Sequence, residues 1–334
     1  MTNLPRVSIL MPVRNEAAYI ERSLGAALTQ DYPAEKMQII VIDGMSDDGT
    51  RQVLQRFQAQ HPQLLLVDNP GRIVPKALNA AIPLAQGQIL IRVDGHCQVA
   101  PDYVRCCVHH LQQGKVDGVG GPTETVGETR LARWIALAMS SPFGVGGSAF
   151  RTRKDQTCLA DTIPFPAYTC EIVQRAGPYD EELVRNQDDE YNYRLRSLGA
   201  KLLLAADVHS VYYSRSSLSS LWRQYFQYGF WKVRVLQKHP RQMSLRQFAP
   251  PVFVATLLGS ALLALVSPIG RWLLALVAGL YLLANLAASL WTAIRRDPGA
   301  IVLLPLIYAI LHLSYGLGFL LGLLRFAARW RDRA

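Results

Sequence analysis

The stretch ILIRVDGHCQV, Ile89 to Val99, joins an apolar run to a group of polar residues. Its apolar run is typical of a strand inside a sheet, and it ends at Asp94, with His96 two positions later. A carboxylate and an imidazole separated by one residue at a strand end can turn toward one point, as a divalent cation requires. The alternative is a turn aspartate beside a packed histidine. His209, in ADVHSVYY, is likewise either a third ligand or a packed histidine.

Residues 1–120 alternate between short apolar runs and helical patterns. The sequence predicts strands at VSILMPV, QIIVID, LLLV, ILIRV and DGVGG, with helices between them at 17–29, 49–60, 75–86 and 102–112. Such alternation indicates an α/β fold whose mostly parallel sheet is flanked by helices on both faces. Ligands of these sheets bind beyond the carboxyl ends of the strands. The motifs RNE, DGMSDDGT and DGH follow three of the strands, so we expect them to form one site.

Two common nucleotide-binding classes lack support in the sequence. A dinucleotide dehydrogenase needs a glycine-rich first turn for close approach to a pyrophosphate. Here that turn is MPVRNEAAYI, which contains no glycine. The chain also has no GxxxxGK[ST] loop, so the usual ATPase class is not supported either. The net charge of +10 is not accompanied by a low-complexity arm or an aromatic and basic repeat, so nucleic acid is not an expected partner.

Charged residues at the sheet edge are candidates for binding a nucleotide. The loop after the second strand is crowded with Asp43, Ser46 and two further aspartates, and capping accounts for about two of these four residues. We therefore expect Asp43, which is closest to the strand end, to accept a hydrogen bond from a base or ribose. Glu16 and Lys76 are either surface charges or contacts to the base and diphosphate.

An acidic cluster lies in RNQDDEYNYRLRSLG, residues 185–199, where a helix is predicted to begin near Asp188 and to end at Gly199. The helix dipole favours acids in a first turn. Three adjacent acids, Asp188, Asp189 and Glu190, nevertheless exceed what capping needs. One carboxylate directed into the cleft would accept a proton from an incoming hydroxyl.

The last third of the chain has the composition of a membrane domain. Uncharged stretches cover 247–270, 272–294 and 298–324, each longer than the roughly 20 residues that a helix needs to cross a bilayer. We therefore predict about three membrane helices. With the first domain in the cytosol, a third crossing would export the four arginines of RFAARWRDRA, against the positive-inside tendency, unless the third segment is broken or re-entrant.

The segment before these stretches is basic and aromatic. From Arg194 to Arg246 there are ten lysines or arginines and one acid, which suits anionic head groups or a lipid-linked phosphate. An aromatic belt at the interface explains part of SLWRQYFQYGFWK, including Trp231. Arg223, Gln224 and Gln227 are candidates for lining an acceptor channel.

The combined motifs resemble those of glycosyltransferase family 2, whose members have the Rossmann-like GT-A fold, over essentially the whole chain. The resemblance is carried by MPVRNE, VIDGMSDDGT, KALNAAI, VDGHC, VGGP, FGVGGSAFR, DEELVRNQDDEYNYRLRSLGAKL and RQYFQYGFWK. It is strongest to the membrane-anchored subgroup of the succinoglycan-biosynthesis type, which extends lipid-linked exopolysaccharide units. The chain differs from the processive synthases, because Phe230 stands where their QxxRW motif has arginine. Addition of one sugar is therefore the expectation.

The resemblance implies a nucleotide-diphosphate sugar donor, most simply a UDP-sugar, and Mg²⁺ or Mn²⁺. Asp94 and His96 fall at the metal-binding DxD motif of the family, with histidine in place of its second aspartate. Asp188 falls at the general base, with Gln187 replacing the acid that usually precedes it. Two further motif positions are assigned by the same matching, Pro12 to the donor side and Gly121 to the acceptor side, which also includes Asp189, Glu190, Arg223, Gln224, Gln227 and Trp231.

The sequence thus predicts a cytosolic transferase domain at 1–215, a basic juxtamembrane segment at 216–248 and a membrane domain at 249–334. The expected location is the bacterial inner membrane, and the expected acceptor is a polyprenyl-linked glycan among membrane lipids. A polyprenyl-phosphate monosaccharide synthase is the alternative within the same chemistry. A membrane adaptor that binds nucleotide without transfer is the alternative from another class.

Overall fold

The computed structural model describes residues 4–152 and 155–331. Contacts divide the chain into two compact units, the first made of residues 1–124 and 153–213 and the second of residues 125–152 and 214–334. The predicted domain end at residue 215 lies beside one of the junctions. Residues 125–152 form a further part of the second unit, which the sequence did not indicate.

The described residues form eleven strands and thirteen α-helices. The strands are β1 Val7–Val13, β2 Met37–Asp43, β3 Leu64–Asp68, β4 Ile89–Arg92, β5 Cys97–Val99, β6 Gly118–Gly120, β7 Thr123–Val126, β8 Cys158–Leu159, β9 Ala167–Thr169, β10 Leu202–Leu204 and β11 Ser210–Tyr213. The helices are α1 Ile20–Leu28, α2 Thr50–Gln60, α3 Val74–Ala81, α4 Tyr103–Gln112, α5 Arg130–Met139, α6 Pro142–Val145, α7 Ala149–Thr152, α8 Cys170–Ala176, α9 Gln187–Ser197, α10 Leu218–Lys238, α11 Ala249–Ala264, α12 Pro268–Arg296 and α13 Leu304–Arg325.

The main sheet of the described residues has eight strands in the order β3-β2-β1-β4-β9-β6-β10-β8. The expected parallel arrangement is confirmed for β3, β2, β1 and β4. The sheet as a whole is mixed, because β9 runs antiparallel to both β4 and β6, and β8 runs antiparallel to β10. The short strand β9 was not predicted, because its three residues carry almost no periodic pattern. A second sheet has the order β5-β11-β7.

The strands β1 and β2 form a deeply buried pair in the first unit. All seven residues of β1 are buried, and Ile39, Ile40, Val41 and Ile42 of β2 are fully buried. Burial of each such aliphatic side chain contributes about 1.5–3 kcal/mol relative to exposure. This rigid pair holds the loops that follow it at the carboxyl edge of the sheet.

The second unit contains three helices that are long and apolar enough to cross a membrane: Leu245–Ala264, Pro268–Arg296 and Leu304–Arg325. Their surroundings within the unit differ. In the most apolar windows of the first two, 17% and 11% of the residues are buried, whereas half of the third is buried. The third helix, α13, therefore has protein along much of its surface, and most of that protein is α10.

Candidate active site

The three polar motifs meet at the carboxyl edge of the main sheet, as the sequence predicts. Val13, the last residue of β1, pairs with Asp43 at the end of β2, which in turn pairs with Asp68 at the end of β3. Beyond β4, the Val93 amide donates to the Leu10 carbonyl of β1 at 3.0 Å, which keeps the DGH turn beside the end of β1.

The loops after β1 and β2 are tied together by hydrogen bonds. Asn15, in a left-handed conformation with φ of 55°, donates from its side chain to Asp47 at 2.9 Å and accepts from the Asp47 amide at 3.0 Å. The Glu16 amide donates to Thr50 Oγ1 at 2.8 Å, and the Ala17 amide donates to Asp48 at 3.1 Å. Capping and loop contacts thus account for both Asp47 and Asp48.

Asp43 is buried at this edge, with only 2% of its surface exposed. Its Oδ1 accepts hydrogen bonds from the amide and hydroxyl of Ser46, at 3.1 and 2.6 Å. Its Oδ2 lies 3.3 Å from Arg51, which also pairs with Asp68. These contacts give Asp43 a structural role in shaping the loop, and a base or ribose would have to share its oxygens with Ser46 or Arg51.

Asp94 is held by an arginine from its own strand. Arg92 Nε and Nη2 donate to Asp94 Oδ1 and Oδ2 at 2.8 and 3.1 Å, and Arg92 is 9% exposed. Burial opposes the charge of Arg92, but the carboxylates of Asp94 and Asp188 outweigh burial and raise its pKa. The guanidinium therefore interacts with both carboxylates to which the sequence assigns chemistry.

His96 is brought together with Glu16 from the loop after β1. His96 Nδ1 lies 2.8 Å from Glu16 Oε1, and the imidazole packs edge-on against Tyr212 at 5.2 Å. Burial disfavours the charged ring, but the hydrogen bond and charge of Glu16 outweigh it and raise the pKa of His96 to about 9. Gly95 permits this pairing, because a Cβ there would lie 2.9 Å from Glu16 Cγ.

Asp188 lies in the first turn of α9, the helix predicted to begin there. Its side chain is open to solvent on one side, although protein surrounds it closely on the others. Burial and then the neighbouring Asp189 carboxylate raise the pKa of Asp188, and the charge of Arg92 partly offsets them. A carboxylate with a raised pKa that remains accessible is suited to accept a proton.

Glu190 has structural contacts instead. It is 4% exposed and forms a two-bonded ion pair with Arg194, at 3.0 and 2.9 Å. Arg194 also donates to the carbonyls of Ala176 and Pro178, at 2.8 and 2.7 Å. Glu190 thus fixes α9 to the end of α8, which accounts for its burial without contact to an acceptor.

His209 is not brought to the other two candidate metal ligands. The Ala100 amide donates to the His209 carbonyl at 3.0 Å, whereas Tyr213 lies opposite His96 across the β5–β11 pair. His209 and Tyr213 are four residues apart in extended chain, which is about 13 Å at the usual rise per residue. The His209 side chain is exposed.

Three other candidate positions have packing explanations. Pro12 is buried in β1. Lys76 is exposed on α3 and lies over Gly71, where a Cβ would come within 2.2 Å of its Cδ. Gly121 is required by backbone packing, because a Cβ there would lie 1.5 Å from the Val208 carbonyl oxygen.

The remaining candidate residues lie on α10 in the second unit. Arg223 is exposed, and the largely buried Gln224 donates to the Tyr228 hydroxyl at 2.9 Å. Trp231 packs against Phe326, with ring centroids 5.6 Å apart. Gln227 is half-buried. Since 223, 227 and 231 follow each other at intervals of four, these residues lie along one face of the helix.

Sequence reasoning missed Arg92 and Tyr179 as members of this site. Tyr179 is buried and stacks at 3.9 Å on Tyr191 of α9, the helix that carries Asp188. A signal for Arg92 was present, because a charged residue inside the apolar run ILIRV needs a partner. Tyr179 has no comparable signal, since its contact with the site depends on packing between distant segments.

Comparisons with known proteins agree with this geometry. Residues 8–177 match the sequence family described as Glycosyl transferase family 2. The chain is 32% identical over 324 residues to the succinoglycan biosynthesis protein ExoA of Rhizobium meliloti, covering 96% of both chains. It is 26% identical over 327 residues to the dolichyl N-acetyl-alpha-D-glucosaminyl phosphate 3-beta-D-2,3-diacetamido-2,3-dideoxy-beta-D-glucuronosyltransferase of Methanococcus voltae, covering 96% of this chain and 97% of the relative.

Among solved structures, the mannosyltransferase PcManGT from Pyrobaculum calidifontis, solved with GDP-Man and Mn²⁺, has a similar fold. The TM-score is 0.61 at 22% sequence identity, covering 96% of this chain and 88% of the mannosyltransferase. The likeness supports a GT-A-like arrangement of the mixed sheet and its helices. With the family match and the full-length similarity to ExoA, it follows that the chain belongs to glycosyltransferase family 2 and is a glycosyltransferase.

Proposed function

We propose that this glycosyltransferase moves one sugar from a nucleotide-diphosphate donor, with UDP-sugar as the first candidate, to a lipid-linked acceptor, with inversion at the anomeric carbon. The observation that carries the proposal is the position of Arg92, which binds both oxygens of Asp94 at the carboxyl edge of the sheet and whose charge also acts on Asp188. That edge is where ligands of α/β sheets bind. One carboxylate there serves the donor and the other serves the acceptor.

Asp188 acts as the general base. It removes the proton of an acceptor hydroxyl while the hydroxyl oxygen forms a bond to the anomeric carbon. The bond from that carbon to the diphosphate oxygen breaks in the same step, and the nucleoside diphosphate leaves. The raised pKa of Asp188 makes it a stronger base than an ordinary aspartate, and the charge of Arg92 helps keep it deprotonated.

Asp94 and His96 are the residues that would hold a divalent cation. No group of three or more histidine, cysteine or acidic side chains arranged for a metal is found in the part of the chain that the structure describes. A carboxylate and an imidazole fit a cation whose other ligands are diphosphate oxygens and water. Mg²⁺ or Mn²⁺ so bound would neutralise the charge on the leaving diphosphate. Since Glu16 favours the protonated ring, ligation by His96 would release a proton.

The lipid-linked acceptor is supported by the relatives and by the second unit. The name of the Methanococcus voltae relative specifies a dolichyl-phosphate-linked sugar as acceptor, and ExoA is named for succinoglycan biosynthesis. The three long apolar helices support attachment to a membrane, which in a bacterium is the inner membrane with the site in the cytosol. The exposed Arg223 and the half-buried Gln227 on α10 are the proposed acceptor contacts.

Nucleotide release tests this proposal. The purified full chain in detergent is incubated with UDP-, GDP- and TDP-sugars, with Mg²⁺, Mn²⁺ or chelator, and with a lipid extract as acceptor source. We expect release from one donor that requires both a cation and the lipid, with the sugar recovered in an extended lipid-linked glycan. Recovery in a polyprenyl-phosphate monosaccharide would identify the alternative synthase. Nucleotide binding without release, even with a defined lipid-linked glycan, would contradict the proposed transfer.

A further inference from the structure

The helix α10 is too highly charged to cross a membrane. Its 21 residues include Arg223, Lys232, Arg234 and Lys238. A cation in the hydrocarbon core of a bilayer is strongly unfavourable, so four of them along one helix oppose crossing. Residues 125–152 cannot cross either, because their longest helix, α5, has 10 residues. Both elements therefore remain on one side of the membrane.

The second half of α13 packs so closely against α10 that glycines on both helices leave no room for a Cβ. A Cβ at Gly229 of α10 would lie 2.0 Å from the Tyr315 carbonyl oxygen of α13. A Cβ at Gly318 would lie 2.1 Å from the Phe226 carbonyl oxygen, and one at Gly322 would lie 2.6 Å from that of Phe230. Small residues allow helix backbones to approach this closely.

The contacts continue to the end of both helices. Gln237, near the end of α10, donates to the Phe326 carbonyl just after α13 at 2.9 Å. Val233 and Phe319 belong to one buried cluster in the same region. Residues further along α10 contact residues further along α13. The two helices therefore run in the same direction over this length. The end of α13 thus lies beside the charged end of α10.

The first half of α13 is bound to residues 125–152. The Tyr308 hydroxyl donates to Ser141 Oγ at 2.9 Å, and His312 Nε2 lies 2.8 Å from the Phe143 carbonyl oxygen. The Phe143 ring also contacts the rings of Tyr308 and His312 edge-on, at 5.0 and 4.9 Å. Protein elements that cannot enter the bilayer thus line α13 in both halves.

The helices α11 and α12 contact α13 away from the turn between them, for example at Val254 of α11 and Thr292 of α12, but both are far more exposed than α13. They form a hairpin around residues 265–267, in which Phe253 stacks on Tyr281 at 4.3 Å. Near the turn of the hairpin, Leu265 and Val266 are 81% and 83% exposed, and Trp272 is 77% exposed. Such a continuous apolar surface needs lipid around it.

We propose that α13 lies along the membrane on the side of α10 and residues 125–152, and that the α11–α12 hairpin is the membrane anchor. The apolar third segment then does not cross, and Arg325 and Arg329 after it stay on the same side as the N-terminal unit. This arrangement removes the conflict between three crossings and the positive-inside tendency. The proposal rests on packing within the second unit and is independent of the sugar transferred.

Tags on the full chain test the topology. One variant carries an epitope before Met1 and another carries it after Ala334, each expressed in a bacterial inner membrane. Protease is added to spheroplasts and to inverted vesicles. We expect both tags to be protected in spheroplasts and cleaved in inverted vesicles. Cleavage of the two tags in opposite preparations would overturn the proposal.

Fusions at the same end provide a second readout. With α13 on the cytosolic side, green fluorescent protein after Ala334 fluoresces and alkaline phosphatase there is inactive. An active phosphatase fusion would contradict the proposed position of α13. These outcomes do not depend on catalysis, so a protein inactive in the donor panel could still confirm the topology, and an active one could still refute it.

Discussion

The site depends on three charged residues, Arg92, Asp94 and Asp188, and on how their charges interact. Arg92 binds both oxygens of Asp94 and also offsets the factors that raise the pKa of Asp188. Asp94 and Asp188 were predictable because each follows a recognisable pattern in the sequence. The pairing of His96 with Glu16 was not, because it joins loops 80 residues apart.

Replacing Asp189 tests the electrostatics of the proposed base. Its negative charge raises the pKa of Asp188, so Asp189→Asn lowers that pKa. Because transfer needs deprotonated Asp188, activity is lost as pH falls through its pKa, and the acid limb of the rate profile moves to lower pH in the variant. Asp31→Asn, at an exposed acid paired with Arg105, is the control and leaves the limb in place. An unmoved limb in Asp189→Asn would contradict the assignment of Asp188.

Replacing Arg92 has the opposite electrostatic effect. Arg92→Gln removes a positive charge that lowers the pKa of Asp188, so the acid limb moves to higher pH. The variant also loses two charge-assisted hydrogen bonds to a largely buried carboxylate, at a cost of about 2 kcal/mol in the free energy of unfolding. Denaturant unfolding measures this loss. Arg105→Gln, whose side chain is 55% exposed, changes stability by about 0.5 kcal/mol or less. Equal stability of both variants would be inconsistent with the buried pair.

At the element scale, the first four strands of the main sheet and the helices between them follow from the sequence. Each of these strands is a run of four or more mainly apolar residues between helical patterns. Antiparallel β9 and β8 did not follow, because strands of three and two residues carry almost no periodic pattern. Their pairing is decided by long-range contacts.

Replacing Gly121 tests whether this residue is needed for backbone packing or for binding the acceptor. Gly121→Ala forces a Cβ against the Val208 carbonyl, which we expect to destabilise the protein by about 1–3 kcal/mol or more. Thermal unfolding of the solubilised protein measures the loss. Gly25→Ala is the control, since open space surrounds a Cβ in α1 and alanine favours a helix. An unchanged melting temperature together with lost transfer would instead support acceptor binding at Gly121.

At the scale of the whole molecule, composition revealed the apolar segments but not which of them cross the membrane. Mean hydropathy does not distinguish α11, α12 and α13 as membrane-crossing helices, because each is long and uncharged in its centre. The difference lies in the glycines of α10 and α13, whose role depends on the partner helix. Gly316, Gly318 and Gly322 are visible in the sequence, but the contacts that they permit are not.

The α10–α13 contact can be weakened without adding charge. Gly229→Ala places a methyl group against the Tyr315 carbonyl, so we expect a lower melting temperature and a loss of about 1–3 kcal/mol. Gly259→Ala on α11 is the matched control, because a Cβ there meets no atom within 4 Å. If both variants melt together with the unchanged protein, the helices are not packed as described.

Asp188 is proposed to remove the acceptor proton during glycosyl transfer. The most direct measurement compares the full chain with Asp188→Asn, using the donor selected by nucleotide release and a lipid-linked acceptor, with donor binding measured separately. We expect Asp188→Asn to lose transfer by about 10²-fold or more, as for removal of a general base, and to retain donor binding. Transfer by Asp188→Asn at the rate of the unchanged protein would contradict this role.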